Sequence, residues 1–154
     1  FKVHKPLAFY AAFLSRKADD FDMEVMSKGV LAKQKLEELS KEPKLDPKKK
    51  NEQAICEIVV ELEARGIELL PVDIYLSEGR KFKIEDGKIR IPLIGISGLG
   101  GAVIENILKE REEAKFISVE DLKRRTKMSQ TVADKLKSIG AISSLSETNQ
   151  ISLF

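Results

Sequence analysis

Ile94-Gly95-Ile96-Ser97-Gly98-Leu99-Gly100-Gly101-Ala102-Val103-Ile104-Glu105-Asn106-Ile107-Leu108-Lys109-Glu110-Arg111 is the stretch whose reading sets the fold. Gly98, Gly100 and Gly101 make a tight turn that opens directly into a helix, with apolar positions at Ala102, Val103, Ile107 and Leu108. Glycine lets a backbone take positive φ and come close to a ligand. The first turn of a helix then presents N–H groups without intrahelical partners and a partial positive charge, which together favour an anion. A plain structural turn would use the same glycines. A dinucleotide fingerprint would also begin at Gly98 and Gly100, but Val103 stands where its third glycine belongs, and neither a βαβ unit nor a ribose-binding acid accompanies it.

The pattern resembles the helix-hairpin-helix motif, in which Gly-hydrophobic-Gly joins two short helices and the hairpin amides touch a DNA backbone. On that resemblance Gly98 and Gly100 are the motif's glycines, Leu99 its apolar anchor and Ala102 the small residue for close helix packing; the spacing to Ile107 and Arg111 also matches. Gly101 departs from the more usual Lys, Pro or polar residue, which gives up a side-chain contact and keeps the amide geometry. Such a contact positions DNA without reading its sequence. A degenerate companion follows: Ser118-Val119-Glu120-Asp121 starts one helix, and Ser129 caps another that runs through Val132 and Leu136 toward Gly140. Lys123, Arg124, Arg125 and Lys127 are four cations within five residues, placed to flank a phosphate path or to form a solvated face. The DNA-binding candidates are therefore Gly98, Leu99, Gly100, Gly101, Lys123, Arg124, Arg125 and Lys127.

Working outward, the first half reads as helical. Pro6 is placed as a first helical residue, with Leu7, Phe9, Tyr10, Phe13 and Leu14 on a wide apolar face. Asp19, Asp20 and Asp22 offer caps for a second stretch with Met23, Met26 and Val30 on one side. Gly29 predicts a kink or two shorter helices there, ending near Ser40. Asp46-Pro47 starts the clearest helix, so Lys48, Lys49 and Lys50 read as a solvated first turn rather than a DNA-binding cluster. Ala54, Ile55, Ile58, Val59 and Leu62 repeat at helical spacing up to Gly66, a C-cap. The period then changes to alternation at Val72, Ile74 and Leu76, and Asp86-Gly87 between Ile84 and Ile89 is a hairpin signal. The expected fold class is mainly α with a small β element: 1–70 helical, 71–91 β, 92–145 the hairpin domain and 146–154 a tail.

The chain has 154 residues and a net charge of only +2, so any nucleic-acid contact must rest on a local patch or on backbone groups. Segment 92–145 carries nine Lys/Arg against seven Asp/Glu, which predicts modest, salt-sensitive affinity. No apolar run approaches the ~20 residues needed to span a bilayer, so no membrane partner is expected. Cys56 is the only cysteine, which excludes an internal disulfide and a cysteine zinc cluster and fits a reducing cytoplasmic location. Both Cys56, at helical spacing, and the solitary His4 read as structural rather than catalytic. The start at Phe1 rather than Met reads as a piece of a larger protein.

The chain ends Gln150-Ile151-Ser152-Leu153-Phe154, an apolar return after a polar stretch. The tail either folds back on its own domain or offers Leu153 and Phe154 as anchors for a partner's pocket, with Gln150 adding polar bonds. These five residues resemble the bacterial sliding-clamp-binding pentapeptide, Ile151 standing for the usual Leu. Together with the hairpin, Phe1-Lys-Val-His-Lys-Pro-Leu-Ala-Phe-Tyr-Ala-Ala-Phe13, Lys17-Ala-Asp-Asp-Phe-Asp-Met-Glu24, Val72-Asp-Ile-Tyr75 and Phe116-Ile-Ser-Val-Glu-Asp-Leu122 resemble the PolC type of DNA polymerase III alpha subunit. That resemblance implies a C-terminal fragment: the end of the fingers, a duplex-binding domain, and a tail for the sliding clamp (the beta subunit). It implies duplex DNA, the clamp and the rest of the polymerase chain as partners. It also implies a parent DNA-directed DNA polymerase that uses Mg²⁺ and carries a 3′–5′ exonuclease. The parent's palm carboxylates lie outside this chain, so neither a catalytic residue nor a cofactor is expected within it. Two other classes use the same features: a free-standing repair or recombination protein, and a protein-interaction module whose hairpins no longer touch DNA.

Overall fold

The computed structural model describes residues 5–146. His4 and the tail residues Gln150, Ile151, Ser152, Leu153 and Phe154 lie outside the described residues. The architecture is mainly helical with a small three-stranded sheet.

Pro6 opens α1 (Pro6–Arg16), whose inner face buries Tyr10 and Leu14. A 3₁₀ turn at Ala18–Asp20 leads to the short α2 (Met23–Met26), capped by Asp22, whose carboxylate accepts the Glu24 N–H at 3.0 Å. The expected break follows: α3 (Gly29–Ser40) is a separate helix. Its start is capped from outside, the Gly29 N–H donating to the Glu63 carboxylate. Because α3 starts a new helical phase, Val30 does not share the buried side of Met23 and Met26; it is 66% exposed. Asp46 caps α4 (Pro47–Ala64) by accepting from Lys49 N–H at 2.8 Å, and Lys48 to Lys50 lie in its first turn. α3 and α4 form the most extensive helix pair. Buried on α4 are Ile55, Cys56, Val59 and Leu62, and burial pushes the Cys56 thiol up to about 11, which leaves it unreactive. At the end of α4 the Ile67 N–H reaches Leu62 O and the Gly66 N–H reaches Glu63 O, the paired bonds of a Schellman stop.

The sheet has the order β1-β3-β2, with β1 (Leu69–Leu70) parallel to β3 (Lys88–Arg90) and β2 (Lys83–Glu85) antiparallel to it. Asp86 and Gly87 both take positive φ, as a two-residue hairpin turn needs. The alternation at Val72, Ile74 and Leu76 is not a strand. The Asp73 carboxylate accepts from Tyr75 N–H at 2.9 Å and Leu76 N–H at 3.0 Å, curling the backbone into a turn that buries Val72 and Ile74 and leaves Leu76 46% exposed. The sheet thus begins two residues earlier than the alternation implies and is interrupted by that turn.

After a 3₁₀ turn at Leu93–Gly95 come α5 (Gly101–Glu113), α6 (Val119–Thr126) and α7 (Gln130–Ser138). One hydrophobic core runs from Tyr10 through Ile89, Ile91 and Leu93 to Ile142, so the hairpin region and the first helices share a floor. Ile74 N–H donating to Ala141 O at 3.2 Å and Val119 N–H donating to Ser146 O at 2.7 Å tie the last described residues into it. Among the described residues no helix is long and apolar enough to cross a membrane.

Replacing Asp73 with Ala is expected to lower unfolding free energy by about 1–2 kcal/mol, because two amides lose their acceptor. Leu76→Ser should shift the urea midpoint little, and a large loss there would restore the strand reading.

Candidate nucleic-acid interface

The hairpin is built from its buried side. Leu93 and Ile96 lie in the core, and Gly98 then takes φ +88°, a conformation side chains rarely adopt, which reverses the chain. Leu99 drops inward to 6% exposure. Its N–H turns inward as well and donates to Ile96 O at 3.2 Å, so Leu99 is an anchor and its amide is not available to a ligand. Gly100 follows as the N-cap of α5 with φ −74° and ψ 162°.

From that residue on, the backbone faces out. Among the described residues the N–H groups of Gly100, Gly101, Ala102 and Val103 have no hydrogen-bond partner, and no side chain caps the helix; the ladder begins with Ile104 N–H donating to Gly100 O at 3.0 Å. A thirteen-residue helix thus ends in four open donors and the positive end of its dipole. Gly100 has an ordinary φ, and a Cβ there would meet nothing within 4 Å. Neither sterics nor backbone geometry of this fold therefore demands glycine at position 100. Ala102, read as a packing position, is exposed; Ile104 and Ile107 make the buried stripe instead, with Val103 and Leu108 at its margins.

The second helical pair repeats this backbone. Lys127 takes φ +63°, Met128 is 5% exposed and Ser129 caps α7 with φ −75° and ψ 162°, matching Gly98, Leu99 and Gly100 in order. One difference separates them: Ser129 Oγ accepts from Val132 N–H at 3.2 Å, filling from within the place that stays open at α5. The two pairs touch, since a Cβ on Gly98 would lie 3.9 Å from Val132 Cγ2. Lys135 Nζ, which carries no motif signal in the sequence, donates to Ser97 O at 2.9 Å and Ser97 Oγ at 2.7 Å and holds the first hairpin onto α7.

The basic run divides by helical geometry. Arg125 is a structural residue: its guanidinium stacks over Phe116 at 4.5 Å from the ring centre and donates to Glu110 O at 2.6 Å and Ala114 O at 2.8 Å, closing the end of α5. It also pairs with Glu110 and with buried Asp121. Burial alone would raise the Asp121 carboxyl, but the Ile117 amide and the Arg124 and Arg125 guanidiniums outweigh it and hold the group below the usual carboxylate range. Arg124 is 71% exposed and spends one edge on Asp121; Lys123 donates to Gln130. Lys127 is exposed at the hairpin tip without an ion pair among the described residues. Asp19, Asp20 and Asp22 line a cleft of about 440 Å³ beside the first hairpin, but among the described residues no group of three or more His, Cys, Asp or Glu is arranged to hold a metal ion, so no step here passes through Mg²⁺.

A family model described as helix-hairpin-helix motif matches residues 66–151, more than half of the chain. Over its whole length the chain is 45% identical to DNA polymerase III PolC-type of Thermotoga petrophila and 44% identical to that of Thermotoga maritima. It is 40% identical to that of Bacillus subtilis. In each case it spans 11% of the relative's length.

Arg125→Ala should cost about 3 kcal/mol, since it strands Asp121 in the interior. Arg124→Ala and Lys127→Ala should change stability by less than about 0.5 kcal/mol in urea unfolding. The Asp121 contribution is complete above its unfolded-state pKa and is lost as pH falls through its lower folded value. An Asp121→Asn chain should therefore lose less stability than the parent on acidification below about pH 4.

Proposed function

We propose, for a chain that belongs to the helix-hairpin-helix family and is homologous throughout to a segment of DNA polymerase III PolC-type, that it holds duplex DNA by the sugar–phosphate backbone and tethers the polymerase to its sliding clamp. The observation that carries the DNA reading is the open set of amides from Gly100 to Val103 at an exposed glycine edge. A phosphate oxygen placed there would take several N–H donors at once and meet the helix dipole with favourable sign. Nothing at that edge distinguishes one base from another, so the grip is independent of sequence.

Gly98 and Leu99 shape the hairpin, Gly100 and Gly101 admit the phosphate, and Lys127 with Lys123 and Arg124 flank the path from the second hairpin. Arg125 is not carried into the site, since its donors are spent within the fold. The duplex-binding domain is taken as 92–145 and the helical part before residue 70 as the end of the fingers. The parent's nucleotidyl transfer and its Mg²⁺ belong to other parts of a much longer chain. The tail proposal rests on Gln150-Ile151-Ser152-Leu153-Phe154 alone, as a pentapeptide whose two apolar anchors would fill a pocket on the clamp.

Gly100→Asp separates folding from binding. The carboxylate can cap α5, so thermal stability should hold or rise by a few tenths of a kcal/mol. Duplex affinity should fall at least about tenfold, because the same carboxylate occupies and repels the phosphate's place. An Asp variant that binds labelled duplex as tightly as the parent chain would falsify the site. Deleting 150–154 should abolish binding to the purified clamp in surface plasmon resonance and leave duplex affinity unchanged; clamp affinity surviving the deletion would remove the tether.

A further inference from the structure

The loop between β1 and β2 carries a cation that neither the hairpin motif nor the basic run of α6 includes. The Glu78 and Gly79 carbonyls accept from Leu93 N–H at 2.8 Å and Ile94 N–H at 3.0 Å, so residues 78 and 79 are fixed to the turn that leads into the hairpin. Arg111 Nη1 donates to Ser77 O at 2.7 Å and fastens the same loop along α5. Gly79 then passes so close to that helix that a Cβ on it would stand 3.2 Å from Leu108 Cδ1 and 3.3 Å from Ile104 Cγ2. This close approach delivers the next side chain, Arg80, to the open end of α5. A Cβ on Gly101 would lie 3.7 Å from Arg80 Nη2.

The guanidinium is half spent. Nη1 pairs with Asp19, while no hydrogen bond from Nε or Nη2 is found among the described residues. Both partners are exposed, Arg80 at 58% and Asp19 at 77% of the side chain. An exposed ion pair of this kind holds its partners weakly. A phosphate at α5 would offer Arg80 a planar, bidentate partner and would at the same time satisfy the neighbouring amides, which Asp19 does not.

Resting on the reading proposed above, we infer that Arg80 is the cation of the hairpin's phosphate site and that Asp19 holds its place until DNA arrives. Gly101 leaves room for an oxygen between the guanidinium and the first helical amides. On binding, Arg80 exchanges a carboxylate of its own chain for a phosphate of the duplex, and Asp19 is released to solvent.

The test measures Kd of the 154-residue chain for a fluorescein-labelled duplex of mixed sequence by anisotropy over a series of salt concentrations, with thermal unfolding of each variant as the folding control. Arg80→Gln is expected to weaken binding roughly tenfold, as removal of one charge-assisted hydrogen bond does. It should also reduce the slope of log K against log salt by about 1, since one phosphate fewer is neutralised. Arg80→Lys should keep the slope. Asp19→Asn should tighten binding a few-fold, and less so when Arg80 is already Gln. Parent-like affinity and slope in folded Arg80→Gln, alongside abolished binding in Gly100→Asp, overturns the role of Arg80 and leaves the hairpin site standing. Absence of duplex binding by the unmodified chain overturns both.

Discussion

A single residue reverses the sense of the backbone at the hairpin: Leu99 has to be inside while the amides immediately after it stay outside. Burial of a leucine is worth about 1.5–3 kcal/mol, and here it acts on one position flanked by glycines. Gly98 makes the reversal possible with φ +88°, and the inward Leu99 N–H, bonded to Ile96 O, locks its direction. The open donors from Gly100 to Val103 are thus fixed in space by a side chain that no ligand touches. The floor under Leu99 is common to the whole molecule, because Leu93, Ile91, Ile89 and the residues of α1 and α4 belong to the same core. A shift in the first helices would therefore be felt at the hairpin through packing, without any polar contact between them.

The two hairpins hold the same backbone states with different chemistry. At Lys127 a positive φ is borne by a residue with a side chain, and at Ser129 a hydroxyl supplies the cap. At Gly98 and Gly100 neither applies. Glycine in place of Ser at an N-cap gives up only a few tenths of a kcal/mol, so leaving α5 open costs the fold little. A charge-assisted hydrogen bond contributes more than that. On the proposed reading the open hairpin is the one that meets phosphate, and the self-capped one gives it a rigid neighbour through Val132 and Lys135.

What could be read from the sequence was chemistry confined to a few neighbouring residues. Pro6, Asp22, Asp46-Pro47, Gly66 and Asp86-Gly87 each fix a start, stop or turn through their own backbone, and each does so in the structure. The mainly helical class with a small sheet followed from them. The readings that differ depended on competition or phase. At Val72–Leu76 an alternating pattern looked like a strand, but the Asp73 carboxylate captured two amides first. At α5 the inward stripe falls on Ile104 and Ile107 because the helix begins at Gly101, which turns Ala102 to solvent. The contiguous cations of α6 looked like one patch, yet a helix turns about 100° per residue. Arg125 is thereby sent under Phe116 while Arg124 stays out. Arg80 had no signal in sequence at all, since it reaches α5 through the tertiary approach of Gly79.

A net charge of +2 is small for a protein that would hold a polyanion. The geometry explains how little charge the proposed task requires. A grip that must accept every sequence gains nothing from long side chains reading base edges, and each flexible lysine ordered on binding loses rotamer entropy. Main-chain amides have no rotamers to lose. Held by Leu99 and aligned with the axis of α5, they are already oriented before a phosphate arrives, so the contact draws on the helix dipole rather than on an excess of Lys and Arg. The same economy makes the site sensitive to a single carboxylate: where the field comes from four amides, one misplaced negative charge at position 100 is enough to cancel it.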